Sequence, residues 1–157
     1  MLKNKTEPSA RDCALRLLAR REHSRFELAQ KLQHAGCATE EISTLLDELE
    51  SKNWLSDRRF AESYVADHRA RAGAIKLAYA LRQRGIADTL IAGVLEALSS
   101  SNSGDSELER ARTVWQKKFD TQPSSPQERA KQMRFLQGRG FSMSTIRSVM
   151  ADNDLDD

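Results

Sequence analysis

Apolar residues recur along this chain three and four positions apart, the spacing that lines one face of an α-helix. Ala10, Cys13, Ala14, Leu17 and Leu18 form one such stripe, Phe60, Ala61, Tyr64 and Val65 a second, and Leu108, Ala111, Val114, Trp115 and Phe119 a third. Each stripe precedes a shared pattern: Leu32-Gln-His-Ala-Gly36-Cys37, Leu81-Arg-Gln-Arg-Gly85-Ile86 and Leu136-Gln-Gly-Arg-Gly140-Phe141. The three glycines lie 49 and 55 residues apart. Six positions after each comes an isoleucine (Ile42, Ile91, Ile146), and nine and ten after it an apolar pair (Leu45 with Leu46, Val94 with Leu95, Val149 with Met150).

Glycine just past a helix closes the last turn in the left-handed conformation without a Cβ clash, and the apolar residue after it packs back. Each copy therefore reads as a helix, a second helix with a glycine stop, and a third amphipathic helix. The expected fold is all-α: three tandem three-helix, helix-turn-helix-like repeats with about nine helices, elongated and curved as stacked repeats tend to be.

Start signals refine the boundaries. Ser9-x-x-Asp12 and Ser24-x-x-Glu27 resemble capping boxes, Thr39 before Glu40 and Glu41 opens the third helix, and Ser56-Asp57 the fourth. Gly73 separates the fourth helix from the fifth, and Asp88 caps the sixth, which runs through Leu98. Ser125-Pro126-Gln-Glu128 is a strong start, with proline at the first helical position. The organisation expected is a flexible lead over 1–8, repeats over 9–54, 55–98 and 107–151, a serine-rich linker over 99–106, and an acidic tail over 152–157.

Composition narrows the function. In 157 residues, 31% are charged, 39% hydrophobic and only 6% aromatic, which suits short amphipathic helices with wide solvated faces and modest cores. The net charge of +2 hides an uneven distribution. Between His68 and Ala87 lie Arg69, Arg71, Lys76, Arg82 and Arg84 with no acid, and from Arg129 to Ala151 lie Arg129, Lys131, Arg134, Arg139 and Arg147, again with none. Such windows leave charge available for phosphates or an acidic protein surface. Tyr79 and Phe135 fall inside them and are read as core by their phasing with leucines.

Chemistry is sparse. His23, His34 and His68 are too scattered for a metal site, and His34 sits where it serves a helix C-terminal dipole. Gly138-Arg139-Gly140 lacks the dinucleotide or P-loop signature and has no preceding strand. No nucleophile and base are paired by any recognised pattern, so no catalytic residue and no cofactor is expected. Cys13 and Cys37 form no CxxC and are too few for a secreted scaffold, which fits a reducing cytoplasm; the N-terminus lacks a signal-peptide core, and no apolar run suits a membrane span.

The three glycine-ended units resemble the RecX family, regulators of the bacterial recombinase RecA, as do Trp54-Leu-Ser-Asp57-Arg-Arg-Phe60-Ala, Leu81-Arg-Gln-Arg-Gly85-Ile86 and Arg134-Phe-Leu-Gln-Gly-Arg-Gly140-Phe141. The resemblance runs from about Ala10 to Ala151. It implies a cytoplasmic, monomeric protein that binds RecA or its filament on single-stranded DNA and limits filament assembly, strand exchange and RecA-dependent ATP hydrolysis, some members also binding DNA directly. The sequence departs at Ala72 and Ala74, where members often carry an aromatic and a proline around the glycine, and at Ala80, where glutamate is common. The contact candidates are Arg69, Arg71, Lys76, Arg82, Arg84, Arg134 and Arg139. The alternative is an autonomous, non-sequence-specific DNA-binding helical module; direct base readout is disfavoured because Ile86 to Leu98 carries no Arg, Asn or Gln.

Overall fold

A computed structural model describes residues 8–100 and 106–153. Among them the chain is all-α, with nine helices and no strand: α1 (Ala10–Arg20), α2 (Arg25–His34), α3 (Thr39–Ser51), α4 (Asp57–His68), α5 (Ala74–Gln83), α6 (Asp88–Ser100), α7 (Glu107–Lys118), α8 (Pro126–Gly138) and α9 (Met143–Asn153). They are three tandem three-helix repeats, as the periodicity requires.

Most expected caps form. Ser9, Ser24, Ser56 and Ser125 each accept from the backbone N–H three residues on, at 3.1 to 3.2 Å. Ser106 does the same for α7 by accepting from Glu109 N–H, so the last residue of the expected linker is a helix cap. The sixth helix runs two residues past Leu98, which takes Ser99 and Ser100 out of the linker as well; 101–105 lie outside the described residues. So do residues 1–7 of the expected lead and 154–157 of the acidic tail, whereas Asp152 belongs to α9 and pairs with Arg112. Two starts differ from expectation. Ala38, not Thr39, occupies the N-cap of α3, which has no side-chain cap, and Asp88 is the first helical residue of α6. Both acidic starts still place carboxylates at the positive end of the helix dipole.

The glycine endings take the left-handed conformation, with φ of +91° at Gly36, +76° at Gly85 and +87° at Gly140. In the first repeat Cys37 N–H reaches back to Leu32 C=O at 3.2 Å and Gly36 N–H to Gln33 C=O at 3.0 Å; in the third, Phe141 reaches Leu136 at 3.3 Å and Gly140 reaches Gln137 at 3.0 Å. This paired closure satisfies carbonyls that a helix end otherwise leaves without partners, and it explains the Leu-x-x-x-Gly-apolar spacing.

The helices gather into two compact bodies rather than three. Among the described residues, one holds those up to Ser63 with Arg84–Ile86; the other holds Tyr64–Gln83 with those from Ala87 onward. The core of the first is built from Ala14, Leu28, Leu32, Leu46, Leu49 and Leu55. In the second, Ala111, Val114, Trp115, Leu136, Phe141, Ile146 and Val149 pack together, and Trp115 donates its indole N–H to Gln132 at 2.8 Å.

Two of the glycine turns do more than end a helix. A Cβ on Gly85 would lie 2.4 Å from Phe26 Cβ on α2, and one on Gly140 would lie 2.2 Å from Lys76 Cβ and 2.6 Å from Lys76 N on α5. Each turn thus seats against the second helix of the preceding repeat. A Cβ on Gly36, in the first repeat, meets nothing within 4 Å among the described residues. The Gly140 seat is closest, because Gly73 faces it: a Cβ on Gly73 would come within 2.4 Å of the Gly140 carbonyl oxygen.

In the first body His23 is buried, at 1% exposure. Its Nδ1 bonds the Arg21 carbonyl at 3.0 Å, and its Nε2 lies 2.9 Å from Lys31 Nζ, which makes Nδ1 the protonated nitrogen and Nε2 the acceptor from the ammonium. Burial, with the Arg21 and Lys31 charges beside it, lowers its pKa below the ordinary 6.5. Glu27, also held low despite burial because Arg21 bonds it, completes the cluster.

Two outcomes follow for stability. Gly73→Ala and Gly140→Ala are expected to cost about 3 kcal/mol, from overpacking and, at Gly140, strain as well. Gly36→Ala, strained but uncrowded, should cost only about 1 kcal/mol, and urea melts of the three variants check the ranking. Because the folded pKa of His23 lies below its unfolded value, the unfolded chain takes up the proton first on acidification. Stability is therefore held above pH 6.5 and falls as the pH drops from 6.5 toward the folded pKa. Urea midpoints at a series of pH values should show this decline, and His23→Gln should flatten it.

Candidate anion-binding site

The end of α4, the start of α5 and the α8–α9 turn meet where Gly73 faces Gly140. The N-terminus of α5 has no side-chain cap of its own, since the residue before it is glycine. Its first donors are satisfied from the third repeat instead: Gly73 N–H donates to Arg139 C=O at 2.9 Å, Ala74 N–H to Glu107 Oε1 at 3.0 Å and Ile75 N–H to Gly140 C=O at 3.1 Å. Ala74, one of the departures from the family pattern, keeps an N–H that proline would lack, and the bond to Glu107 uses it. Ala72, another, is buried within the α4–α5 connection.

This junction brings three of the seven candidate cations together. A groove of about 390 Å³ is lined by Tyr64, His68, Arg71, Ala72, Lys76, Leu77, Ala80 and Arg139. A second, of about 300 Å³, is lined by Ala70, Arg71, Val114, Lys117, Lys118, Phe135 and Arg139. Arg71 and Arg139 border both, so the two grooves share a cationic ridge, and neither lining includes an acid. The first groove is floored on one side by Tyr64 and His68, stacked at 3.9 Å between centroids with 14° between planes, with His68 Nδ1 on the Tyr64 carbonyl at 2.8 Å. In the second, Phe135 has Arg139 Cζ 5.2 Å and Lys118 Nζ 5.9 Å from its centroid, and meets Phe119 edge-on at 5.4 Å.

The remaining candidates lie elsewhere. Arg82 bonds Asp88 at 2.8 Å, a pairing across six residues that the acid-free window concealed because Asp88 stands one residue past its end. Arg84 belongs to the first body, and Arg134 is exposed on α8 outside both linings. Arg69 is half-buried, and its carbonyl accepts from Arg110 Nη1 at 3.0 Å. Lys117 and Lys118 join the site without having been singled out; their place in the last turn of α7, followed by no acid until Asp120, was the available signal.

Of the two aromatics read as core, Tyr79 needs correction. Tyr79 is 61% exposed, because the buried stripe of α5 is Leu77 and Leu81 and a residue two positions from each points away from it. Phe135 packs against the core of the second body and is half-buried, one flank against Phe119 and the other forming part of the groove wall.

Against known families, the model described as RecX, first three-helix domain matches residues 10–49, the second 56–95 and the third 105–150. The chain belongs to the RecX family. The regulatory protein RecX of Ralstonia nicotianae is 41% identical over 146 residues, covering 92% of this chain and 89% of that one. That of Pseudomonas putida is 41% identical over 157 residues, covering 97% and 96%. The crystal structure of RecX from Lactobacillus salivarius superposes with a TM-score of 0.79 at 23% identity, covering 93% of this chain and 95% of that one, a likeness of fold. Membership places the chain in a regulatory family rather than an enzyme family, and no helix among the described residues is long and apolar enough to cross a membrane.

If the ridge binds polyanions as a unit, Arg71→Ala and Arg139→Ala each weaken binding of a single-stranded oligonucleotide and lower the slope of log affinity against log salt by about one. Arg82→Ala, removing a charge already neighboured by Asp88, should change that slope by much less. Fluorescence titrations at several salt concentrations make the comparison.

Proposed function

We propose that this chain regulates RecA by binding RecA, or its filament on single-stranded DNA, through the grooves bordered by Arg71, Lys76 and Arg139, and that binding limits filament assembly, strand exchange and RecA-dependent ATP hydrolysis in DNA repair and recombination. The observation that carries the reading is the convergence, in a member of the RecX family, of cations from the α4–α5 turn, α5, α7 and the α8–α9 turn on one surface whose linings hold no acid. The protein acts as a cytoplasmic monomer, without cofactor or catalytic chemistry of its own. Several individually weak contacts made at once gain from effective concentration, which suits a filament presenting the same surface repeatedly.

Direct contact with DNA phosphates is the second reading, favoured by one feature: Phe135 flanked by Arg139 and Lys118 combines an aromatic face with cations, the pairing that single-strand binders use. In that case binding to DNA is tight, salt-sensitive and independent of RecA.

Titrating the protein into RecA on single-stranded DNA, while following ATP hydrolysis and filament length, tests the proposal. The wild type is expected to lower both, and the combined Arg71→Ala, Lys76→Ala and Arg139→Ala variant, folded by circular dichroism, to need at least roughly tenfold more protein for the same effect, a loss of about 1.4 kcal/mol of binding. No change in either quantity with the wild type overturns the regulatory claim.

A further inference from the structure

The α4–α5 turn carries Arg71 into both grooves, and one face of α7 holds that turn in place. Glu107 and Arg110 stand three residues apart, so their side chains leave α7 on the same side. Glu107 lies at the N-terminus of α5: Oε1 accepts from Ala74 N–H at 3.0 Å, while Oε2 accepts from the Thr145 hydroxyl at 2.9 Å. Arg110 lies at the other end of the turn, just past the C-terminus of α4. It is 6% exposed, and its Nη1 donates to Arg69 C=O at 3.0 Å and to Ala72 C=O at 3.5 Å. A carboxylate therefore faces the positive pole of one helix and a guanidinium the negative pole of the other. The two carbonyls that Arg110 holds bracket Arg71.

Arg71 N–H closes the turn locally on His68 C=O at 3.0 Å, and further bonds come from the opposite side. Gly73 N–H donates to Arg139 C=O, and Arg139 Nη1 lies 3.5 Å from Arg71 C=O. The backbone from which the Arg71 and Arg139 side chains project is thus held from both directions, and α7 supplies one of the two. Burying an arginine carries a desolvation cost that a methionine of similar length avoids. Both bonds leave one nitrogen of a planar guanidinium, which is oriented with more directional control than an ammonium on a flexible stem.

We infer that Arg110 is a positioning residue for the cationic ridge: it touches no ligand, and it sets where Arg71 stands relative to Arg139. The inference rests on the reading that this ridge contacts the RecA filament. A double-mutant cycle separates the two. Arg71→Ala, Arg110→Met, the double variant and Arg110→Lys are assayed for affinity to RecA filaments on single-stranded DNA, with a urea melt of each. Arg71→Ala is expected to weaken binding about tenfold, Arg110→Met by a similar factor, and the double variant no more than either alone, the non-additivity of residues acting through one group. Arg110→Lys, which keeps the charge, is expected to weaken binding as well, because position rather than charge is lost. It also replaces Arg110→Met in the cycle if the methionine variant melts below the assay temperature.

If the Arg110 substitution costs the same factor with Arg71 present as with it absent, or costs nothing, the inference is overturned while the ridge reading stands. If Arg71→Ala costs nothing, the ridge reading fails, and the inference with it.

Discussion

The seat of Gly140 against the start of α5 is the contact on which the second body depends. Two glycines meet there, Gly73 and Gly140, and a Cβ on either would occupy space already held by backbone. That absence of side chains lets the α8–α9 turn approach closely enough for the carbonyls of Arg139 and Gly140 to accept from Gly73 and Ile75. Helix α5, which begins without a cap of its own, is capped by a turn more than sixty residues away. One close approach satisfies polar groups that burial would otherwise leave costly, and it fixes the register of the third repeat on the second.

The same geometry organises charge. A turn brought against α5 brings Arg139 with it, beside Arg71 and Lys76, and α7 packs so that Glu107 and Arg110 address the two helix poles flanking Arg71. Three acids in this body are engaged by neighbours away from the grooves: Glu107 bonds an amide and a hydroxyl, Asp88 pairs Arg82, and Asp152 pairs Arg112. The cations left along the grooves have no acid among the lining residues to neutralise them. The uneven field arises from where acids are used, not from any large excess of base in a chain of net charge +2.

The first body solves the same problems with different chemistry. Its glycine turn at Gly36 closes α2 without serving as a seat, while Gly85 packs on Phe26. Its buried polar cluster centres on His23, held neutral between a carbonyl and an ammonium, rather than on an arginine spanning carbonyls. Three copies of one unit thus share their glycine stops while differing in the contacts at those turns. That is the expected course for repeats whose individual stability is marginal and whose neighbour contacts carry specificity.

Local signals in the sequence settled the helices, their number and most of their caps, because caps, glycine stops and apolar stripes act within four or five residues of where they are written. The differences at that range are small: Ala38 for Thr39 at the cap of α3, Asp88 inside α6 rather than capping it, and two residues added to the end of α6. Family membership was legible for the same reason, since the ordered glycine motifs are themselves local. The site was only partly so. Charge windows named Arg71, Lys76 and Arg139, but also Arg82, whose partner stands just outside the window, and they omitted Lys117, Lys118 and Arg110. Phasing places Phe135 against the core but misplaces Tyr79, because phasing against a leucine tells little about a residue two positions away. Which cations share a surface, and which glycine serves as a seat, depends on pairings across some forty to seventy residues. Only the tertiary structure decides those, because close packing between repeats is a property of two surfaces together and neither stretch of sequence encodes the other.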